Sequence, residues 1–179
     1  MTTFGGVGIM STERPLPLDR LYLLNPGQSL SVGDRTLHAF RPPLYDSPAT
    51  VGFYDDRSGA VFSSDCFGAP VSSVELAAGV NAGEVPPAEL RGGQLLWAAV
   101  DSPWVHNVDT NRYLDTVRSM QAFDPNLICS SHLPPATNMT SMFDMLAEAP
   151  SADPFVGPDQ QALEQLLASF EPAAAQPDH

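Results

Sequence analysis

Short stretches in which polar and apolar residues alternate dominate the first third of the chain. Residues 28–32 and 36–40 alternate in this way around a Gly-Asp-Arg turn, and residues 49–54 and 60–64 flank a second turn that ends in Ser-Gly. Alternation with a period of two, broken by turn residues, predicts β-hairpins. We therefore expect two hairpins, and the last of these strands is apolar enough to be buried.

Helical periodicity replaces this alternation in the second half of the chain. The spacing predicts helices over residues 87–100, 109–123 and 140–147, with a short buried strand over residues 126–129. Asp109 is a residue type that commonly caps the start of a helix. Hairpins followed by helix, strand and helix predict an α/β fold, an α+β sandwich whose sheet carries outer helices.

The remaining segments predict the limits of the domain. Residues 1–150 are expected to form one domain, and residues 151–171 a linker and an amphipathic helix that packs on it. That helix has apolar residues at i, i+3, i+4 and i+7 counted from Leu163. Residues 172–179 are expected to be a disordered tail. The apolar start at Phe4 predicts a chain that begins inside a domain.

Charge and composition narrow the range of partners. The 179 residues include 21 acidic residues, eight arginines and no lysine, which gives a net charge of −13. A chain without a basic patch is not expected to bind nucleic acid or an anionic membrane. No apolar run approaches the ~20 residues of a membrane-spanning helix, and the N-terminus lacks the basic region of a secretory signal. With only two cysteines, a reducing, cytoplasmic setting is expected.

Two segments each end a short apolar strand in a residue that can bind a metal ion. Asp65 follows the predicted strand at residues 60–64, and His132 follows the one at residues 126–129. A strand end holds a ligand rigidly, and aspartate together with histidine suits zinc, iron or manganese. Spacing alone leaves ordinary alternatives open, because an aspartate here is commonly a helix cap and a loop histidine is commonly a hydrogen-bonded structural residue.

These two segments also resemble a known family. Phe-Ser-Ser-Asp-Cys-Phe-Gly at residues 62–68 resembles the strand-end aspartate segment of metallo-β-lactamase-fold proteins, most closely the flavodiiron oxygen/nitric-oxide reductases and their ODP-like relatives. Residues 128–132 resemble the segment that carries the last histidine ligand. The similarity covers about residues 20–148. It implies half of an αββα fold with a mixed or antiparallel sheet, and metal-ligand roles for Asp65 and His132.

The chain departs from the family pattern in its first metal-binding motif. The signature His-x-His-x-Asp-His is missing, and the four histidines lie far apart. The chain therefore resembles the C-terminal half alone. Where the family has its middle histidine this chain has Tyr45, with Asp46 beside it. Asp46 is a third candidate ligand, although Asp-Ser-Pro is also an ordinary turn sequence.

Four further residues are candidates for roles around the metal or in a pocket. Cys66 and Cys129 could form a small zinc site with His132, but a buried cysteine more commonly acts as a small apolar residue. His106 could line a substrate pocket, and Tyr45 could donate a proton near a metal. Each of these has a structural alternative, so the sequence assigns no catalytic residue.

The resemblance implies a metal-dependent hydrolase-like protein with a divalent zinc or iron ion and a small-molecule substrate. Because a catalytic zinc site needs about three protein ligands and a dinuclear site about six, we expect an incomplete site, weak metal binding and low or no activity in the isolated chain. One alternative is a non-catalytic interaction module that pairs with a chain supplying the missing half, or that forms a homo-oligomer. Another is a diiron oxygen/nitric-oxide reductase-like domain, which would need an electron-donating flavin domain.

Overall fold

A computed structural model describes residues 1–170, so the predicted tail at residues 172–179 lies outside the described residues. The strands are β1 (Ser29–Ser31), β2 (Thr36–Phe40), β3 (Gly52–Asp55), β4 (Ala60–Phe62), β5 (Leu127–Ser130) and β6 (Leu133–Ala136). The helices are α1 (Phe4–Glu13), α2 (Val74–Ala77), α3 (Pro87–Asp101), α4 (Thr110–Gln121), α5 (Met139–Glu148) and α6 (Gln160–Phe170). Short 3₁₀ turns lie at Leu18–Arg20, Ala82–Glu84, Pro103–Asn107 and Ala149–Ser151.

The six strands form one mixed sheet in chain order, from β1 to β6. Every neighbouring pair is antiparallel except β4 and β5, which are parallel, with Val61 opposite Ile128. Parallel neighbours need a long crossover, and here α2, α3 and α4 supply it. The predicted α/β sheet with outer helices is confirmed. The parallel pairing also brings the ends of β4 and β5 to the same edge of the sheet.

The hydrophobic core lies on one face of this sheet. Val61 and Ile128 are fully buried there, together with Val117 from α4 and Met142 from α5. Successive side chains of a strand point to opposite faces, so the neighbours of these residues lie on the other side. Burial of these apolar side chains is the main source of the stability of the domain.

On the opposite face of the sheet, apolar side chains lie outside the helix-covered core of residues 1–170. Strand pairing places Leu37, Phe53, Phe62 and Leu127 on this face. None of the four belongs to the buried core cluster, and Phe62 remains 47% exposed. We call these four residues the open sheet face. A single sheet with helices on one side and an apolar face on the other is half of a sandwich.

Two elements differ from the sequence-based expectations. Strand β6 was not predicted because it contains Pro134 and Pro135, but it lies at the edge of the sheet, where a missing N–H is tolerated. Helix α6 forms as expected, yet the structure leaves it exposed and not packed on the domain. No residue of α6 is buried, and Phe170 is 73% exposed. The connecting residues 153–159 are also exposed.

Within residues 1–170, no helix combines the length and apolar character needed to span a membrane.

Candidate metal centre

The loop after β4 has an unusual backbone that turns Asp65 away from the strand. Ser64 and Phe67, on either side of it, have φ angles of 54° and 68°. This left-handed region is disfavoured for residues with a side chain, most of all for a bulky one, and such strain persists only where surrounding contacts enforce it. The Ser63 hydroxyl, which is fully buried, donates to the carbonyl of Cys66 at 2.8 Å and so closes the turn.

Hydrogen bonds join this loop to the end of β5. The Ser63 amide donates to the carbonyl of Cys129 at 3.0 Å, and the Ser131 amide donates to the carbonyl of Ser64 at 2.9 Å. These bonds extend the parallel β4–β5 pairing beyond the strands themselves. The two strand ends are therefore held as one rigid unit.

Asp65 and His132 meet at this edge of the sheet. The His132 Nε2 atom lies 2.9 Å from Asp65 Oδ1, with the side chains 46% and 21% exposed. The Trp97 indole N–H donates to the Asp65 carbonyl at 3.0 Å, and its ring centroid lies 4.6 Å from that of the His132 imidazole. Gly68 makes room for the indole, since a Cβ there would lie 2.5 Å from Trp97 Nε1. Trp97 of α3 thus supports both residues.

Two further carboxylates lie beside Asp65. Ligand atoms of Asp46, Asp65 and Asp101 are all within 4.8 Å of one another. Asp46 is held in place through its neighbour Tyr45, whose carbonyl accepts a hydrogen bond from the Trp104 indole at 2.9 Å. Asp101 is the last residue of α3. With His132, these three residues form what we call the acidic cluster.

The acidic cluster concentrates negative charge in a partly buried place. Burial raises the pKa of Asp101, and the nearby charges of Asp65 and Asp46 raise it further. A hydrogen bond from Ser102 and the neighbouring His132 act in the opposite direction. Carboxylates that repel one another at this separation would be stabilised by a shared cation.

The donor set fits one divalent cation. Carboxylate oxygens and an imidazole nitrogen together are typical ligands of iron, zinc and manganese. The cluster offers four donor side chains: three carboxylates whose ligand atoms lie within 4.8 Å of one another, and His132, whose Nε2 atom contacts Asp65. That number satisfies a single catalytic ion, which needs about three protein ligands. It falls short of the roughly six that a dinuclear centre needs.

The architecture is similar to that of known diiron proteins. Rubredoxin oxygen:oxidoreductase from Desulfovibrio gigas superposes with a TM-score of 0.68 and 17% identity, over 86% of this chain and 38% of that one. The Giardia intestinalis flavodiiron protein gives a TM-score of 0.61 and 16% identity, over 83% of this chain and 34% of that one. This chain has a flavodiiron-like fold.

A third similar structure is the chemotaxis sensor ODP, described as a peroxy diiron species. It shows a TM-score of 0.57 and 15% identity, over 92% of this chain and 63% of that one. The chain therefore spans less than two thirds of each of these flavodiiron-like structures, which fits half of a metallo-β-lactamase-like domain. No protein-family model matches the sequence, and no curated protein matches it significantly.

The two cysteines lie outside the acidic cluster of this flavodiiron-like fold. Cys66 is 1% exposed within the helix-covered core, and burial raises the pKa of its thiol to about 12. Cys129 pairs with Phe62 and so shares the open sheet face, and burial also raises the pKa of its thiol. The two side chains therefore lie on opposite faces of the sheet, which does not favour the cysteine zinc site.

The other two candidates near the metal have structural surroundings. The ring of Tyr45 packs against Trp104, with the two ring centroids 5.0 Å apart. The guanidinium of Arg41 lies over the Tyr45 ring, 5.0 Å from its centroid. His106 lies in the 3₁₀ turn after α3, and its Nε2 atom is buried without a hydrogen-bond partner among residues 1–170. Tyr45 therefore contributes to the site by fixing the position of Asp46.

An apolar groove of about 640 Å³ opens beside His132. Its walls include Val71, Trp97, Leu133 and Pro134, and His132 is the sole titratable side chain among the lining residues. A groove of this size accommodates a small molecule. Because no charged side chain faces it, the groove suits an uncharged, largely apolar group next to the acidic cluster.

The sequence pattern does not indicate Asp101 as a ligand. Its only signal was an acidic residue at the end of a predicted helix, 36 positions after Asp65. Such residues are common on helix surfaces, and the sequence does not specify how the end of α3 packs against the two strand ends. The crossover through α3 is what brings Asp101 to the same edge of the sheet.

Proposed function

We propose that this chain is a metal-dependent hydrolase-like protein whose acidic cluster binds one divalent cation, iron or zinc. The observation that carries the proposal is the direct contact of His132 with Asp65, inside a group of three carboxylates. The flavodiiron-like fold supports it, because the similar structures include proteins described as diiron species. The fold alone does not distinguish hydrolase from reductase.

Each residue of the site has a role in this proposal. The ion would be held by the four side chains of the acidic cluster, Asp46, Asp65, Asp101 and His132. Trp97 contacts both Asp65 and His132 and so keeps them in position. A bound divalent cation supplies Lewis-acid chemistry and lowers the pKa of water. The apolar groove beside His132 would bind the substrate and exclude water from one side of the reacting bond.

A diiron reductase-like domain is the alternative, because the similar structures are described as an oxygen:oxidoreductase and as a peroxy diiron species. It requires a second metal ion and about six protein ligands. The acidic cluster provides four, so a single ion is the better match to residues 1–170. The number of ions bound per chain separates the two functions.

Metal binding tests the proposal directly. Isothermal titration with zinc, and anaerobically with ferrous iron, is expected to show one ion per chain for the unchanged protein. Asp65→Asn and His132→Gln should each weaken binding by about tenfold or more, since each removes a ligand. Asp144→Asn is the matched control, because Asp144 is an exposed aspartate on α5 and does not belong to the acidic cluster.

Activity is measured separately with the zinc-loaded chain and 4-nitrophenyl acetate, an uncharged ester that suits the groove. The proposal expects hydrolysis above the rate of free zinc, lost in Asp65→Asn and kept in Asp144→Asn. Failure to bind metal, or binding that both ligand variants retain, would contradict it. Two ions per chain would favour the diiron alternative.

A second candidate function is that of an interaction module, and the open sheet face favours it. Phe53 and Phe62 lie opposite each other on this apolar face, and apolar sheet faces pack on one another in β-sandwiches. Asp55, the charged residue that strand pairing places on this side, is buried and paired with Arg35. We propose a second copy of this chain as the occupant.

Sedimentation equilibrium tests this association. We expect a dimer that tightens as salt is raised, because salt screens the repulsion between two chains of charge −13. Phe62→Asp should abolish it, whereas Phe155→Asp, at an exposed position in the segment before α6, should not. A monomer at all concentrations would overturn the second copy as occupant and leave a complementing chain to cover this face.

A further inference from the structure

A second cavity lies between the loop after β2 and the start of α4. Its volume is about 380 Å³, within the range of small-molecule sites. Tyr45 and Trp104 line it as a packed aromatic pair, with Pro42 and Val108 as further apolar walls. We propose that this cavity binds a small planar aromatic ligand that carries one negative charge, such as an aromatic carboxylate.

Two arginines in the wall argue for the negative charge. Arg41 and Arg112 both line the cavity, and neither has a carboxylate partner among residues 1–170. In a chain with eight basic and 21 acidic residues, two cations without an acidic partner in one cavity are a notable concentration of positive charge. The acidic wall residue, Asp109, already accepts the backbone N–H of Arg112 at 3.0 Å as the cap of α4.

Arg41 is fixed in position before any ligand arrives. Its Nη1 atom donates to the carbonyls of Pro48 and Thr50, each at 2.7 Å, and its guanidinium lies 5.0 Å from the centroid of the Tyr45 ring. A side chain held in this way loses little conformational entropy when a ligand binds. Guanidinium groups also pair with carboxylates through strong, directional hydrogen bonds.

The aromatic wall argues for a planar ring in the ligand. The rings of Tyr45 and Trp104 are tilted by 46° to one another, and the Trp104 N–H is already bonded to the Tyr45 carbonyl. Both rings are therefore held in place. They present apolar ring surface to the cavity, and the Trp104 N–H is already used as a hydrogen-bond donor. Aromatic rings pack on such surfaces in stacked or edge-to-face arrangements.

The test uses 2-naphthoate as the probe, with 2-naphthalenemethanol as its neutral analogue and acetate as an anion without a ring. Binding is measured by isothermal titration and by NMR of the two indole N–H signals. We expect saturable 1:1 binding of 2-naphthoate that shifts the signal of Trp104 more than that of Trp97. The neutral analogue and acetate should each bind about tenfold more weakly or worse.

Arg112→Gln should weaken the binding of 2-naphthoate by about tenfold or more. The control is Arg118→Gln, which lies further along α4 and outside the cavity, and it should change the affinity by no more than about twofold. Absence of saturable binding overturns the proposal. So does equal weakening by both variants, or a shift confined to Trp97, which would place the ligand in the groove beside His132. Asp65→Asn removes a cluster ligand but no wall of this cavity, so failure of the metal site is distinguished from failure here.

Discussion

The charge of Asp101 should destabilise the metal-free protein. At a separation of 4.8 Å, two unit charges repel by about 0.9 kcal/mol in a water-like medium and by about 3.5 kcal/mol at an effective dielectric constant of 20. Asp101 forms two such pairs, with Asp46 and Asp65, and loses some attraction to His132 when it is neutralised. Because the cluster is partly exposed, the lower values apply. We expect Asp101→Asn to raise the free energy of unfolding by about 1–2 kcal/mol at pH 7.

Urea denaturation in the presence of a chelator, at low salt, measures this effect. A stabilisation of that size corresponds to a rise of the melting temperature by about 2–8 °C in a domain of this length. The difference should shrink at about 1 M salt, where charges are screened over about 3 Å.

Addition of zinc should reverse the order of stability. An ion present at about 100 times its dissociation constant stabilises the unchanged protein by about 2.7 kcal/mol, whereas Asp101→Asn has one ligand fewer and should gain less. The reasoning would be refuted if Asp101→Asn were less stable than the unchanged protein in the presence of the chelator. It would also be refuted if zinc raised the free energy of unfolding of this variant as much as that of the unchanged protein. Either result would mean that Asp101 is not part of a shared cation site.

Three further predictions concern the surroundings of the site. Hydrogen bonding by Ser58 lowers the pKa of Asp55, so Asp55→Asn should be less stable than the unchanged protein at pH 7. In acid denaturation this difference should shrink as pH falls from the ordinary pKa of an aspartate through the lowered value in the folded protein. Gly68→Ala should cost about 1–3 kcal/mol and shift the fluorescence of Trp97, because the added methyl group meets the indole. Cys66 should remain unmodified by a thiol reagent in the folded protein at pH 8, as its burial and raised pKa disfavour the thiolate, and mass spectrometry after labelling would detect the opposite.

Much of the sheet could be predicted because its strands carry local signals. The hairpins β1–β2 and β3–β4 follow from alternation and turn residues, and the buried strand β5 follows from its apolar run between Pro125 and two serines. Strand β6 could not be predicted in this way, because Pro134 and Pro135 argue against a strand. Its place at the edge of the sheet is a property of the whole fold and not of its own residues.

The candidate site shows the same division. Asp65 and His132 stand out since each follows an apolar strand, and the parallel pairing that joins them is typical of strands linked by helices. Asp101 carries no comparable signal. Asp101 reaches the acidic cluster because of the way the end of α3 packs. That packing depends on the contact of Trp97 with Gly68 and Asp65, which lie far from it along the chain.

The most direct test of the account is a crystal structure of the zinc-soaked protein with anomalous diffraction at the zinc edge. We predict one strong peak bonded to both Asp65 and His132, at roughly 2.0–2.2 Å from their donor atoms. A fully occupied peak elsewhere, or no peak at saturating zinc, would contradict the claim that the ends of β4 and β5 together form a cation site.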